Sequence, residues 1–453
     1  MKKSILAVVI LLFIITSLPI IGNTFIKNTI DERVVELKSF GLQTTKDETH
    51  ATYLNTSRHF EFIIKDSKNF LNHLKQYSDK QIPSYVNAMI EGVVIGADVK
   101  YSNLPFAKAF EIEIYPINLS PQMNKKLKDD DMNFYAYVEN LLNDKALMYH
   151  IEYNLLNDDF KGYIRDIQTN YTQLNGTKFI LTLEKANFKG QGELLAPKEL
   201  NSKIKKLHFE VSQDTQVLNI FLNEFKSSSN FESVNTYLTS VDIETIVMTL
   251  QGSNDDINIR MKKLRANASS NEQGITTQLN SKTSIKSLEL HSNQVDLNIE
   301  KLNFDIALSE LDKKEYLAFT QLTSQNNKSS LEVQESLLKL LSKGVVLEIA
   351  DFSIAKFSKN SEKTIKGFEL KSNLTLKEDK DLAKKMKRSP FMIIPDISFL
   401  SELKISKELY VELQKTSGML SHFKGYEKED GDDYIFVLEF IDGKASVNGR
   451  SLN

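Results

Sequence analysis

From residue 146 to residue 308 apolar side chains recur at every second position. In KLHFEVS (206–212), Leu207, Phe209 and Val211 fall on one face of an extended chain and His208 and Glu210 on the other. This alternation predicts half-buried antiparallel strands. Four segments add a shared irregularity, an apolar alternation broken by a two-residue step and then resumed. Phe179, Leu181 and Leu183 give way to Ala186 and Phe188; Ile257, Ile259 and Met261 to Leu264, Ala266 and Ala268. Val295, Leu297 and Ile299 give way to Leu302, Phe304 and Ile306; Val345, Leu347 and Ile349 to Phe352 and Ile354. An odd step in a period-two strand swaps faces unless an extra residue is absorbed. A two-residue hairpin would absorb it, but the step pairs are Glu-Lys, Lys-Lys, Glu-Lys and Ala-Asp, without the Gly or Asn that tight turns demand. A β-bulge keeps one face inward while bending and twisting the strand, and is the favoured alternative. The irregular spacing of the four segments excludes a solenoid of fixed period. The pattern predicts strands of about 10–14 residues in a strongly curved sheet, well above the usual length. Val295, Leu297, Ile299, Leu302, Phe304 and Ile306 mark its candidate apolar groove or core.

Elsewhere the period is helical. Asp66 precedes Phe70, Leu71, Leu74 and Tyr77, and Asp129–Asp131 precede Phe134, Tyr137, Val138, Leu141 and Leu142, with carboxylates placed for helix N-termini. FEIEIYPINL (110–119) reads as a strand. Between 309 and 343, Ser309 with Asp312 and Ser329 with Glu332 have capping-box spacing, and Gly344 is placed to stop the second helix. Leu311, Ala318, Phe319 and Leu322 form one stripe and Leu331, Leu337, Leu338 and Leu341 another, which should pack on the sheet. The chain closes with YIFVLEFIDGKASVNGRSLN (434–453), where Asp442-Gly443 is a strong hairpin signal. A two-residue loop there opposes Ile441 to Lys444, Phe440 to Ala445, Leu438 to Val447 and Phe436 to Gly449, with Glu439 diagonal to Lys444. Asn448-Gly449 reads as a second turn or a strand end.

Before all this, Lys2 and Lys3 precede an uncharged apolar run that includes Ile5, Leu6, Val8, Ile10, Leu12, Phe13, Ile14, Leu18 and Ile21. As a helix it spans about 25 Å, enough for a thin bilayer core. No A-x-A-like cleavage site follows, which favours a retained signal-anchor over a cleaved signal peptide. With the lysines inside, the rest of the chain lies outside the cytoplasm. The layout is a membrane anchor (1–24), a mixed α/β region (25–145), a β-rich region (146–308), a helical insert (309–343) and a C-terminal β-rich region (344–453). The fold class is α+β and β-dominated: a transmembrane helix, then an elongated, curved, mainly antiparallel sheet with long bulged strands and a helical insert packed on it.

Composition narrows the chemistry. Lys+Arg is 57 against Asp+Glu 60, for a net charge of −3, so there is no nucleic-acid footprint. Without cysteine there are no disulfides, thiolate metal sites or thiol nucleophiles. The seven histidines are never three or four residues apart, and no H-E-x-x-H, G-x-S-x-G or P-loop occurs, so no catalytic, metal or cofactor site is expected. EKEDGDDY (427–434) lacks the ligand spacing of a calcium loop and reads as a solvated turn. KKMKR (384–388), beside Pro390 and FMII (391–394), reads either as a solvated basic helix or as a contact for anionic lipid headgroups.

Gly418, Leu420, Gly425, Tyr434 and the run Asp442, Gly443, Val447, Asn448, Gly449 resemble the C-terminal motif of the YdgA-like family. The likeness in motif covers about the last forty residues; the likeness in plan covers the whole chain. The resemblance implies a single-pass inner-membrane protein of the bacterial envelope with a large β-rich periplasmic part and no established activity. Three readings follow: a non-enzymatic envelope scaffold or assembly factor, a lipid-handling β-groove protein analogous to the AsmA-like class, and an envelope hydrolase, for which no local motif speaks. Expected partners are the membrane, through one helix, and an envelope protein or phospholipid; an unpaired strand edge also allows a homodimer. The lipid reading requires the apolar face to be open rather than covered by the 309–343 helices. Leu297→Asp, inside the apolar stripe, should lower the melting temperature by several degrees, whereas Glu439→Ala on the outer face should not; equal melting of the two would sink the sheet assignment.

Overall fold

The computed structural model describes residues 27–75, 85–104, 110–154, 156–194, 196–233, 235–252, 256–323, 329–360, 363–416 and 423–452. The anchor residues Ile5 to Ile21, and Gly418 and Leu420 of the C-terminal motif, lie outside them. Among the described residues no helix is long and apolar enough to cross a membrane. The fold is β-dominated, built on a large, curved, antiparallel sheet with some helices. The chain divides into two compact units between Asp214 and Thr215, inside the stretch 146–308 that periodicity treats as one region.

The first unit opens with helix α1 (27–39), then β1 (Leu42–Ala51), β2 (Asn55–Ile64), α2 (Ser67–Lys75), α3 (Tyr85–Ile90), β3 (Val94–Ser102) and β4 (Phe110–Asn118). Helices α4 (Pro121–Asp130) and α5 (Met132–Asn143) follow, then β5 (Tyr149–Asn154), β6 (Asp159–Ile164), β7 (Ile167–Thr172), β8 (Lys178–Glu184), β9 (Ala186–Glu193) and β10 (Ala196–Gln213). The Asp66 carboxylate accepts the Asn69 N–H at the start of α2, and Asp131 accepts the N–H groups of Asn133 and Phe134 at the start of α5, as the sequence predicts. Strands β1 to β5 form a meander, and its core gathers Leu42, Phe60, Phe62, Ile64, Val99 and Tyr101. Phe60, Phe62 and Ile64 share the face of a period-two strand. Arg58, on the same face, is 4 % exposed; it donates to Asp31 of α1 and Asp47 of β1 and lies over the Phe60 ring.

In the second unit β11 (Gln216–Ser233), β12 (Thr236–Gln251), β13 (Ile257–Gln273), β14 (Thr276–Ser292) and β15 (Asp296–Asp312) run up and down as neighbours. Helices α6 (Lys313–Thr323) and α7 (Ser330–Leu341) interrupt the meander before β16 (Val345–Lys359) and β17 (Ile365–Leu376). Then come α8 (Leu382–Arg388), a 3₁₀ segment (Pro390–Asp396), β18 (Ile397–Ser406), α9 (Lys407–Thr416), β19 (Lys428–Asp430), β20 (Asp433–Ile441), β21 (Lys444–Val447) and β22 (Arg450–Ser451). β11 to β15 are 16 to 18 residues long, longer than expected, because the step does not end these strands, whereas in the first unit Lys185 separates β8 from β9.

How the step is absorbed departs from expectation at three of the four sites. Only Ala350-Asp351 is a counted bulge: Asp305 pairs with Asp351 but Ile306 with Ile349, leaving Ala350 extra. At the other three the second residue of the step adopts left-handed backbone, Lys185 at φ 49°, Lys263 at 52° and Lys301 at 54°. The ladder continues in the same register on either side. Asn223 pairs with Thr245 and Phe225 with Ile243; Lys262 with Ser287 and Leu264 with Ile285; Glu300 with Lys356 and Leu302 with Ile354. The row that the ladder registers skip between them is Glu224, Glu244, Lys263, Lys286, Lys301, Ala355 and Gly367, a crease crossing seven strands. The register survives because every strand steps at the same row. At Gly367 an added Cβ would lie 1.9 Å from the Ile354 carbonyl oxygen, so only glycine passes there.

Left-handed backbone costs a non-glycine residue roughly 1–2 kcal/mol, most for a β-branched side chain. Lys263→Val, favourable in an ordinary strand, should therefore destabilise by about 1–2 kcal/mol in urea titration, while Lys263→Gly should be neutral or stabilising. Equal midpoints for the two variants would remove the left-handed crease.

Candidate binding face

The strand registers align the apolar positions of the second unit into rows that run across the strands. One row, on one side of the crease, is Leu222, Ile246, Met261, Leu288, Ile299, Phe357 and Ile365. The row on the other side is Phe225, Ile243, Leu264, Ile285, Leu302, Ile354 and Phe368, continuing to Ile405 and Tyr434. Phe357 and Ile365 from the first row and Phe368 and Ile405 from the second pack in a single cluster, so the two rows share a face. Beyond them Phe304, Phe352 and Phe368 stack edge to face, with centroids 5.7 and 5.1 Å apart. The opposite face carries cross-strand ion pairs: Arg265 with Asp242 at 3.2 Å, Lys282 with Asp305 at 3.0 Å and Lys356 with Glu300 at 3.0 Å.

Of the sequence-predicted groove residues, Leu297, Ile299, Leu302, Phe304 and Ile306 all lie on β15 and pair with apolar or small partners on β14, namely Leu290, Leu288, Ile285, Thr283 and Ser281. Val295 does not. It precedes β15 in a turn in which its N–H donates to the Ser292 hydroxyl.

The helices cover this face only in part. Leu340, Leu382, Tyr316 and Phe319 pack with Leu279, Leu308, Leu311, Val345 and Leu376 where β14 to β17 meet α6, α7 and α8. At the opposite strand ends, Leu409 and Tyr410 of α9 pack with Ile365, Ile405, Phe436 and Val447. Neither cluster includes a side chain of β11, β12 or β13. Apart from the buried Ile243, many apolar side chains of these strands stay half-buried, and Leu218, Met248 and Leu250 are exposed. The helical insert thus covers one end of the face rather than its length. The Ser329–Glu332 capping box forms, and Gly344 ends the insert at φ 87°. Ser309 does not cap, because β15 runs on to Asp312, whose carboxylate accepts the Glu315 N–H. In α7 the buried residues are Leu338 and Leu340, whereas Leu331 in the first turn and Leu337, beside Leu338 but on another side of the helix, are exposed.

The described residues of the C-terminal motif build a hairpin and its flanking turn. Asp442 and Gly443 take φ 50° and 76°, and Ile441, Phe440 and Leu438 pair with Lys444, Ala445 and Val447 as predicted. Phe436 does not meet Gly449, because the ladder ends at Val447 and Asn448-Gly449 turns the chain into β22. Glu439 accepts from the Ser446 hydroxyl at 3.4 Å. Asn448, whose role the sequence leaves open, accepts the Val437 N–H at 2.8 Å and donates to the carbonyls of Tyr426 and Ile435 at 2.6 and 2.9 Å. Tyr434 joins the same cluster. Gly425 has φ 91°.

Two other sites could carry chemistry. In the first unit Asp98 accepts from His59 at 2.6 Å, Lys145 at 2.8 Å and Tyr115 at 2.9 Å, and the ammonium of Lys145 lies 3.8 Å from the Tyr115 ring centre. Burial raises the Asp98 pKa, but these hydrogen bonds outweigh it and hold the group below its ordinary value. The three donors converge on one carboxylate, which ties β2, β3, β4 and the end of α5 together and presents no nucleophile. Nearby, a depression of about 610 Å³ is lined by His150, Glu152, Lys161, Tyr163, Lys189 and neighbours, with His150 between Glu113 and Glu152. Among the described residues no group of acidic and histidine side chains could hold a metal ion. The carboxylates of EKEDGDDY serve as ion-pair partners, Asp430 to Lys404 and Asp433 to Lys366.

No family model, curated protein or solved structure matches this chain. The Asn448 hydrogen bonds predict that Asn448→Ala costs about 2 kcal/mol, read as a lower urea midpoint at unchanged slope; an unchanged midpoint would show the turn to be held by its backbone alone.

Proposed function

We propose that the second unit shelters acyl chains on its apolar face and that the protein is a membrane-anchored, lipid-handling component of the bacterial envelope. One observation carries the reading. Aligned apolar rows cross β11 to β17, and the apolar clusters that the helices form at the ends of that face include no β11–β13 side chain, α6 reaching β13 through the Lys313–Glu272 ion pair at its rim. Leaving such a surface in water costs roughly 25 cal/mol per Å², so a contiguous apolar face calls for a ligand or a partner. Rows of Leu, Ile, Met and Phe without buried charge suit a flexible hydrocarbon better than a polar substrate. The opposite face, with its paired charges, would remain in water.

The apolar N-terminal segment and the likeness to YdgA-like envelope proteins support anchoring in the inner membrane, with the sheet on the periplasmic side. The Asp98 cluster spends its donors on one carboxylate and so lends the hydrolase reading no support.

The test is the phospholipid content of the full chain purified from a bacterial envelope, measured by extraction and mass spectrometry. Phe304→Lys and Met261→Lys should lower the lipid-to-protein ratio while circular dichroism shows a folded sheet. Asn303→Lys, on the polar face of the same strand, should leave it unchanged. A ratio identical in all four proteins would turn the reading to a scaffold whose apolar face is met by protein.

A further inference from the structure

The segment from α8 through the 3₁₀ turn is built to hold one side in and push the other out. Leu382 is 1 % exposed, and Met386, Ile393 and Ile397 pack on the same cluster. Lys385 lies between Asp379 at 2.9 Å and Asp396 at 2.7 Å, closing the base of the segment with an ion-paired staple. Opposite these contacts Phe391 is 78 % exposed and Met392 42 %. Lys384, Lys387 and Arg388 are exposed just before them in the chain. Lys387 reaches Glu335 only across 3.5 Å with both side chains largely in solvent, a weak pair. A flexible loop could expose an aromatic ring incidentally. Here the ring is presented by a segment fastened on its inner side.

We propose that this tip docks the second unit onto the surface of an anionic phospholipid bilayer, with Phe391 and Met392 entering the headgroup boundary and Lys384, Lys387 and Arg388 meeting lipid phosphates. The chemistry identifies the occupant. A protein pocket for Phe and Met would not by itself require three flanking cations, whereas an anionic bilayer rewards both: each cation near the surface adds roughly fivefold to binding, and aromatic and apolar side chains sit favourably at the boundary. Such binding weakens with salt, as the headgroup charge is screened. The inference goes beyond the acyl-chain reading and does not depend on it.

The chain contains no tryptophan, so Phe391→Trp places a single indole at the tip. The full chain carrying it is reconstituted in vesicles of phosphatidylcholine alone or mixed with phosphatidylglycerol, with and without brominated acyl chains. The expected result is a blue-shifted emission, quenched by brominated lipid, in the anionic vesicles only. Reversing Lys384, Lys387 and Arg388 to Glu in the same background should abolish the shift, and adding Phe304→Lys should leave it intact, whatever that change does to bound lipid. Leu174→Trp, 85 % exposed in the β7–β8 turn of the first unit, should show no shift in either vesicle. Emission from Phe391→Trp that is the same in both vesicles would overturn the proposal. So would a blue shift in phosphatidylcholine vesicles that brominated lipid does not quench, because the tip would then be covered by protein.

Discussion

Strands β11 to β17 must keep their apolar side chains on one side of the sheet across a step of three residues. A pleated strand swaps sides at an odd step. One strand making such a step alone would lose its register with both neighbours. The second unit meets the constraint collectively, with every strand stepping at the same row, so that the pairs on either side keep a common register. Left-handed residues occur in β11, β13 and β15, at Glu224, Lys263 and Lys301, whereas β12, β14 and β16, which run the other way, have ordinary backbone at that row. The cost of each is local and the benefit is shared across the sheet, because the step preserves the apolar face from β11 onward.

That face explains where helices were needed and where they are absent. The ends of the strands expose backbone and large side chains together, and there α6 to α8 on one side and α9 on the other bury Leu311, Leu382, Ile405 and Phe436 almost completely. Along the middle, burial comes from neighbouring rows. Ile243, Ile285 and Ile299, each flanking the crease, are 8–9 % exposed although they belong to neither helical cluster. The apolar rows nonetheless continue past the crease to Met248 and Leu250, which remain exposed. A sheet of this kind is stable through its ladder and its capped ends, and leaves free energy to be gained on one face.

Local features were the legible ones. The Asp442-Gly443 hairpin, the Asp131 cap and the Ser329–Glu332 capping box depend on neighbours within a few residues, and each forms as its local sequence predicts. The apolar row on β15 was legible from period two, apart from Val295, because a periodicity argument cannot see where a turn ends. The steps in β11, β12 and β14 went unrecognised. FLNEF (221–225) carries the same interruption, but Ser227, Ser229, Thr283 and Ser281 dilute the alternation on the far side of the crease. The α7 stripe differs from expectation at Leu331 and Leu337: with leucines at 337, 338, 340 and 341, spacing alone does not say which side of the helix meets the sheet, nor that its first turn stands clear. His59, Asp98 and Lys145 come together from positions 39 and 47 residues apart, with no local pattern to announce them.

The distribution of satisfied and unsatisfied groups also weighs against reading the polar faces as chemical sites. Asp433, with a side chain 5 % exposed, is held by Lys366 at 2.5 Å and Lys404 at 3.6 Å; Asp98 takes three donors; Asp379 and Asp396 share Lys385. In these clusters the carboxylates pair with lysines or accept from neighbouring side chains, which accounts for each of them as part of the fold. Two surfaces retain unmet demand. The apolar face lacks a cover at Leu218, Met248 and Leu250, and the α8–3₁₀ tip presents Phe391 to water beside three exposed cations. On the proposed reading, hydrocarbon would satisfy the first and an anionic headgroup layer the second. A phospholipid offers both within one molecule, which is why a lipid environment accounts for the pair more economically than two unrelated protein partners.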